Sequence, residues 1–462
     1  MQPFAEHGFA WGRILGAALV LAVVCNGAGS FLKRTDIWER DAYLAYWAIH
    51  CANIVQDGPA QPVEPRCCAQ NPPGAIVMPE SPEQHALERA HRGYVYRVSG
   101  AEVLLKLAKD ALVIGFIAIS LLVIAANRTG WPAPRDAMHV DVLLAYALLA
   151  VVFAWVQHGG AIAAAGLRFF WILAIARVGA WFAPQLGRLA PYMAALLVIQ
   201  IILVPVEAYW GLHLFHEYME WFGLARRASG TLVLPNSLGV FAVVALAFYY
   251  SFSQSRRYFW TVSVVALLLV AASGSAMGWA GMLLLYAGVT IERSSAERRT
   301  LAVMAATVAL AILFAALPLV TGRPDVHNSW LGRVETLEWI MSRQGLWSTL
   351  FGNGLGVGTD TAWNLVQVLG AGVIGGPQAI VERRPDSTVT ALVVQLGLLG
   401  TFAFYALLVR AWVKDTAARM FYGIVILCSL SLNITELFPV NFLLGLVLAR
   451  SKVPARLDFR RH

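Results

Sequence analysis

Long apolar runs separated by short polar connectors make up most of the chain. A helix of about 17–25 apolar residues crosses the roughly 30 Å hydrocarbon core of a bilayer. Such runs form helices because lipid offers no hydrogen bonds to bare backbone groups. The pattern predicts an all-α, polytopic transmembrane helical bundle with about 12 spans. These spans cover 11–31, 104–126, 140–157, 160–182, 190–210, 234–253, 259–273, 275–291, 300–320, 387–410, 419–432 and 437–449.

Composition excludes a soluble globular protein. Of 462 residues, 58% are hydrophobic and 13% are charged, whereas soluble domains carry about 25% charged residues. The net charge of +8 lies mostly in short connectors and the C-terminal tail. Membrane topology explains basic residues in those places, so we do not expect nucleic-acid binding.

Basic residues occupy alternate connectors, and this asymmetry predicts the orientation because Lys and Arg favour the cytoplasmic side. The connectors at 157–159, 273–275 and 433–436 carry neither residue. Both termini are therefore predicted in the cytoplasm, and the first run is interpreted as a retained helix without a cleavage site. The residues predicted to be cytoplasmic are Arg128, Arg135, Arg188, Arg256, Arg257, Arg293, Arg298, Arg299, Lys414, Arg419, Lys452, Arg456, Arg460 and Arg461.

The pattern divides the chain into five parts. The long first loop is predicted to hold either a surface-lying amphipathic helix or a small folded cap. If this loop is extracytoplasmic, a disulfide from Cys51 to Cys67 or Cys68 is possible. Cys25 and Cys428 lie inside apolar runs, and no Cys/His spacing indicates a metal site. The parts are a first helix (1–32), a periplasmic loop (33–103), helices two to nine (104–320), a second large periplasmic loop (321–386), and three helices with a basic tail (387–462).

Several arginines are predicted on the outer side, from which insertion tends to exclude them. Arg226 and Arg227 adjoin in the loop 211–232, and Arg333 follows in the loop 321–386. A guanidinium binds two phosphate oxygens at once. It contributes about 4 kcal/mol of attraction at an effective dielectric near 20, before desolvation. The sequence therefore predicts an anion site, with salt bridges inside the loops as the alternative. Arg383 and Arg384 extend the same set.

Two further motifs of the loop 321–386 allow a functional and a structural interpretation. Gly352, Gly354 and Gly356 could bring backbone amides to a phosphate or sugar, or form a turn. The segment GRVETLEWIMSR, which contains Arg333, predicts an amphipathic interfacial helix. That helix either turns Arg333 toward a headgroup or serves as an anchor.

A carboxylate or histidine is needed to accept a proton from an acceptor hydroxyl. Asp386, at the mouth of a span, is the first candidate, with a helix N-cap as its alternative. His327 and Glu436 are the other outward-facing candidates, and His327 alternatively is a solvated loop residue. Asn236, in LPNSLGVF, is a candidate substrate-binding residue. No nucleotide, zinc or lipase motif accompanies them, so no cofactor is expected.

Four motifs in order carry a family resemblance: RRASGTLVLPNSLGVF, SGSAMGWAG, SWLGRVETLEWI…STLFGNGLGVG and PDSTVTALVVQLGLLG. With their spacing and topology, they make residues 105–449 similar to the O-antigen ligase and polymerase (Wzy/WaaL-type) superfamily of bacterial membrane glycosyltransferases. Lys106, Lys109, Asp110 and Arg168 fit the same pattern more loosely.

The resemblance implies a multi-pass inner-membrane enzyme that acts on its periplasmic side. Its donor would be a polyprenyl diphosphate-linked oligosaccharide, held by Arg227 or Arg226 and by Arg333 without a metal ion, and its acceptor a glycan. Chain-length regulators or other polysaccharide-assembly proteins are possible partners. Ligases of the family carry a histidine near the start of the span that follows the large loop, where this chain has Asp386-Ser387-Thr388.

That difference favours a polymerase of O-antigen, capsule or exopolysaccharide. The first alternative is a ligase that transfers glycan to lipid A core or protein. A polysaccharide or lipid transporter or flippase without catalysis is the alternative from another class. Transporters tend to have repeat symmetry, broken helices and ionisable residues at mid-membrane, whereas here charge concentrates outside and no clear internal repeat is present. A structural membrane scaffold without catalysis or transport is the third alternative.

Overall fold

The computed structural model describes residues 2–37, 100–126, 134–210, 227–232, 234–253, 256–321, 326–359, 362, 385 and 387–450. Regular secondary structure in these residues is helical. The helices are α1 (Gln2–Ile37), α2 (Gly100–Ala126), α3 (Ala137–His158), α4 (Gly160–Val178), α5 (Leu186–Trp210), α6 (Pro235–Phe252), α7 (Phe259–Ser273), α8 (Ala276–Arg293), α9 (Ala296–Thr321), α10 (Val326–Arg343), α11 (Leu346–Phe351), α12 (Thr388–Lys414), α13 (Arg419–Ser429) and α14 (Val440–Leu448). Short 3-10 helices occupy Gly179–Gln185, Gly230–Leu232 and Arg256–Tyr258.

Seven stretches among the described residues are long and apolar enough to cross a membrane. Because the regular secondary structure of the described residues is helical, the all-α prediction is confirmed. The apolar helices indicate a membrane protein. The predicted spans fall on helices, but these seven stretches do not confirm the count of about twelve: α7 and α13 are shorter apolar helices, and α8 and α14 are not among the seven. The seven stretches are Trp11–Gly29, Leu104–Ala126, Ala137–His158, Gly160–Val206, Pro235–Phe252, Arg298–Thr321 and Thr388–Lys414.

Helix α6 is the centre of the bundle. Its side chains from Ser237 to Tyr250 are buried on all sides, and it packs against α5, α7, α8 and α13. A helix that is apolar all round suits such a position. Pro235 occupies the first turn, where a missing N–H costs nothing. Helix α9 lies at the edge instead, with Met304, Val308 and Ile312 exposed.

Ion pairs join α3, α12 and α14 at one end of the bundle. Arg410 Nε lies 2.6 Å from Asp136 Oδ1, and Arg450 Nη1 lies 2.7 Å from Asp415 Oδ2. Arg135 approaches Asp415 at 4.0 Å. Arg135, Asp136 and Asp415 come from connectors that the basic-residue pattern assigns to one side of the membrane, and the structure brings them together.

Helix α12 is broken at Gly397, which has φ 66° and ψ −174°. A Cβ at Gly397 would overlap the carbonyl oxygen of Leu350, so the break needs a glycine. Residues 346–359, the inserted segment, pack into this break and against the middle of α3. Asn353 N donates to Val394 O at 2.8 Å, and Tyr146 Oη donates to Leu396 O at 2.8 Å. The sequence had predicted one continuous span over 387–410.

We expect Tyr146→Phe to lower the apparent midpoint of thermal unfolding in detergent. The Tyr146 hydroxyl donates to both Leu396 O and Phe351 O, and leaving these carbonyls without that donor costs about 1 kcal/mol. Tyr258→Phe is the matched control, because the Tyr258 side chain is 55% exposed. Equal midpoints for the two variants would contradict the role assigned to Tyr146.

Candidate functional site

Arg227 lies where α6, α7 and α8 meet. Its Nε donates to Ser273 O at 2.7 Å, and its Nη2 donates to Asn236 Oδ1 at 2.8 Å and to Gly274 O at 3.4 Å. The structure thus brings together Arg227 and Asn236, two candidate residues that belong to one motif of the sequence, RRASGTLVLPNSLGVF. These three acceptors are neutral oxygens, and they fix the orientation of the guanidinium.

The turn between α7 and α8 supplies two of these acceptors. Gly274 ends α7 in the left-handed conformation, with φ 55°, and Ser275 caps α8 by accepting from Gly278 N at 3.1 Å. A Cβ at Gly274 would lie 3.0 Å from Thr321 O and 3.2 Å from Arg227 Nε. The end of α9 therefore also reaches this site. In the sequence, the motif SGSAMG was part of the family resemblance only. In the structure, the backbone carbonyls of its Ser273 and Gly274 accept hydrogen bonds from Arg227.

A buried glutamine of α5 fixes the segment that follows Arg227. Gln200 Nε2 donates to Thr231 Oγ1 at 2.8 Å, and Thr231 N donates to Gln200 Oε1 at 2.8 Å. Ala228 N donates to Ala272 O at 2.9 Å, which joins the same segment to α7. Sequence reasoning missed Gln200, although a lone amide within an apolar run is a usable signal.

A second group of polar and charged residues gathers around Lys109, which lies inside α2; most of its members are in spans, and Glu436 is in the turn before α14. Lys109 Nζ donates to Asn26 Oδ1 at 2.8 Å, and Lys109 interacts electrostatically with Arg168 and Glu436. Ionisable residues within membrane spans are costly and mark functional sites. We call this group the intramembrane cluster; its members are Asn26, Lys106, Lys109, Asp110, Arg168 and Glu436.

Helix α1 connects the two groups. A Cβ at Gly27 would lie 2.6 Å from Thr231 Cβ, so α1 passes directly against the segment after Arg227. The preceding residue, Asn26, binds Lys109. The segment after Arg227 and the intramembrane cluster therefore lie against the same part of α1, at one end of the bundle.

Glu436 belongs to a turn that is held against the start of α12. Asn433 Nδ2 donates to Glu436 Oε1 at 3.1 Å. Thr388 Oγ1 donates to Leu432 O at 2.8 Å and accepts from Ile434 N at 2.9 Å. These bonds place the Glu436 carboxylate beside the beginning of α12, the end of the helix that follows the predicted catalytic loop.

The N-cap of α12 is Ser387, whose side chain accepts from Thr390 N at 3.2 Å. The alternative interpretation of Asp386 as that N-cap is therefore wrong. Ser387 takes the position because its hydroxyl reaches the amide three residues later.

The glycine motif packs inside the protein. Gly352 N donates to Ser348 O at 2.8 Å, Gly354 N to Gln395 O at 3.2 Å, and Gly356 N to Gln395 Oε1 at 3.0 Å. All three glycines are buried and have positive φ. Their amides are therefore not available to a phosphate or sugar, and the structure supports the turn interpretation.

Arg333 and His327 lie on α10, which begins five residues after Thr321. Arg333 is half-buried about two helical turns further on, roughly 10 Å along the axis. Leu331 and Val334 are exposed, as expected of an interfacial helix. The His327 ring lies 4.8 Å from the Phe314 ring of α9, so His327 packs on a neighbouring helix rather than being a solvated loop residue.

Several predicted residues lie outside the described part of the chain. Among the cysteines that the structure describes, the Cys25 and Cys428 thiols are free and lie in α1 and α13. The predictions outside the described residues are Arg226, Arg383, Arg384, Asp386, Cys51, Cys67 and Cys68.

Comparisons with known proteins do not assign the chain to a family. No family model, curated protein or solved structure matches it. The resemblance drawn from the motifs stays a prediction, and function is inferred from the residues and their arrangement.

We expect Gly356→Ala to destabilise the protein much more than Gly159→Ala. Both glycines have positive φ, 103° and 87°, but a Cβ at Gly356 would overlap the carbonyl oxygen of Ile162, whereas nothing lies within 4 Å of one at Gly159. Backbone strain alone costs about 1–2 kcal/mol. The added overlap should raise the loss at Gly356 above about 3 kcal/mol. The measurement is the apparent unfolding midpoint in detergent, and similar losses would contradict the buried-turn interpretation.

Proposed function

We propose that the protein transfers glycosyl groups at the periplasmic face of a bacterial inner membrane. The donor is a polyprenyl diphosphate-linked glycan, and the acceptor is a sugar hydroxyl, so that a surface polysaccharide is polymerised. The observation that carries the proposal is the Arg227 guanidinium, held by Asn236 and two backbone carbonyls at the same end of the bundle as the intramembrane cluster. The proposal includes twelve spans, both termini in the cytoplasm, and the segment 321–386 on the periplasmic side, with its residues 346–359 inserted into the bundle.

The position of the site along the bundle supports the periplasmic assignment. Helix α12 starts at Thr388, beside the turn that holds Glu436, and ends at Lys414, near Asp136. Its 27 residues separate these ends by about 40 Å. The end near Asp136 gathers the basic connectors, which favour the cytoplasm. Arg227, Lys109 and Glu436 belong to the opposite end.

The main task of the proposed site is to stabilise the negative charge that develops on the leaving diphosphate. In the transfer, the bond between the sugar carbon and the phosphate oxygen breaks, and the diphosphate leaves with the electron pair. Arg227 and Arg333 stabilise the negative charge that develops there, usually the largest catalytic contribution. The diphosphate linkage is already activated, so the reaction requires no ATP. Cations of the intramembrane cluster, Lys109 and Arg168, add attraction for the same anion.

The acceptor hydroxyl loses its proton to a carboxylate while its oxygen bonds to the sugar carbon. Asp386 is the first candidate from the sequence. Glu436 is supported by its place beside Lys109 and by its hydrogen bond from Asn433. His327 is less well supported, since its ring packs on Phe314.

We expect Arg227→Ala to lower the polymer yield by about a hundredfold, because removing one donor to a developing oxyanion costs that much. The measurement uses purified protein in liposomes with the lipid-linked repeat unit of the source cell, and products are resolved by length. Arg293→Ala is the matched control, since Arg293 is exposed at the far end of α8. Unchanged yield and length in Arg227→Ala would refute the assignment.

The same products distinguish the two reactions of this class. A polymerase gives a ladder of increasing lengths, whereas a ligase joins finished glycan to lipid A core or protein and gives one discrete product.

A transporter or flippase is the second candidate, and two observations favour it. Helix α12 is broken at Gly397, and ionisable residues lie inside the spans, as in many transporters. The inserted segment fills the break with its own hydrogen bonds, however. Movement of a fluorescent lipid-linked glycan across liposomes without a new glycosidic bond would support this candidate.

A further inference from the structure

The segment 227–232 is held at three points by three different helices. Ala228 N donates to Ala272 O of α7. Thr231 exchanges two hydrogen bonds with Gln200 of α5, and Thr231 also packs against Gly27 of α1. These contacts leave Arg227 little freedom at its Cα.

Gln200 carries a polar amide where the surroundings are apolar. Its side chain is fully buried within the stretch Gly160–Val206. A buried amide is costly unless it is hydrogen-bonded, and both its Oε1 and its Nε2 bind Thr231. A Cβ at Gly230 would overlap Gln200 Oε1, so the glycine permits this close approach. These contacts therefore hold the side chain of Gln200 and the backbone of Thr231 in one relative arrangement.

We propose that Gln200 and Thr231 are positioning residues that set where the Arg227 guanidinium presents its charge. This inference rests on the proposed function. The pair fixes the backbone four residues after Arg227, and the carbonyl oxygens of Ser273 and Gly274 fix the side chain. Neither residue touches the substrate. Their effect is to keep the guanidinium at the place where the proposed diphosphate binds, and such positioning is sensitive to shifts of about 1 Å.

The test measures the affinity of undecaprenyl diphosphate and of undecaprenyl monophosphate for the full chain in lipid nanodiscs. Thr231→Val removes the hydroxyl and keeps the volume, whereas Thr231→Ser keeps the hydroxyl. Thr290→Val is the matched control, because Thr290 Oγ1 donates only within its own helix, to Tyr286 O. Arg227→Ala reports whether the guanidinium binds diphosphate at all.

We expect Thr231→Val to weaken diphosphate binding about tenfold and monophosphate binding much less. Thr231→Ser and Thr290→Val should stay within about twofold of the unmodified protein. The ratio of the two affinities is informative because a loss of folded protein would lower both equally. Gln200→Met, which keeps the volume and removes both hydrogen bonds, should reproduce the Thr231→Val result.

Three results would overturn the inference. If Arg227→Ala loses diphosphate binding while Thr231→Val and Gln200→Met keep it, the positioning role is wrong and the proposed function stands. If Arg227→Ala binds as the unmodified protein does, the proposed function fails together with the inference. If Thr231→Val and Gln200→Met both fail to insert, while Thr231→Ser behaves normally, the pair serves stability instead of positioning.

Discussion

Backbone and side-chain polar groups inside an apolar bundle must find partners within the protein, and the structure follows from that requirement. The break in α12 leaves carbonyl groups of Val394, Gln395 and Leu396 without helical partners. Residues of the inserted segment and Tyr146 supply the donors. Irregular backbone at membrane depth is tolerated where protein satisfies it. The glycines at 352, 354 and 356 serve this arrangement because only they let the inserted segment come so close.

The same requirement produces two different kinds of charged site. At the basic end, Asp136 and Asp415 accept from arginines of neighbouring helices, so opposite charges largely cancel. At the other end, Arg227 donates to the backbone carbonyls of the α7–α8 turn and to the side-chain oxygen of Asn236. The arginines of the basic end are thus fixed by carboxylates, whereas neutral oxygens take part in fixing Arg227.

Helix α6 links the core to the candidate site. Its buried surface fixes its position in the bundle, and its first turn carries Asn236, which accepts from Arg227. Gly239, one turn later, has no side chain to keep the α7–α8 turn away, and a Cβ there would overlap Ser275. The tightness of the core therefore determines how close Asn236 comes to the carbonyls of Ser273 and Gly274. Packing around α6 therefore sets the positions of the oxygens that accept hydrogen bonds from the Arg227 side chain.

The sequence by itself determined the helices, because long apolar runs in lipid have no other way to satisfy their backbone. It also predicted that Arg135 and Lys414 lie on the same side of the membrane, and in the structure they are hydrogen-bonded. It identified Arg227 and Asn236 as candidate site residues. Only the tertiary structure decided that α12 breaks at Gly397, since a glycine in an apolar run looks the same whether the helix continues or not. The role of Gln200 and the N-cap at Ser387 were likewise decided there. Gln200 meets a partner 31 residues away, and such contacts depend on how whole helices pack, which local patterns of residues do not encode.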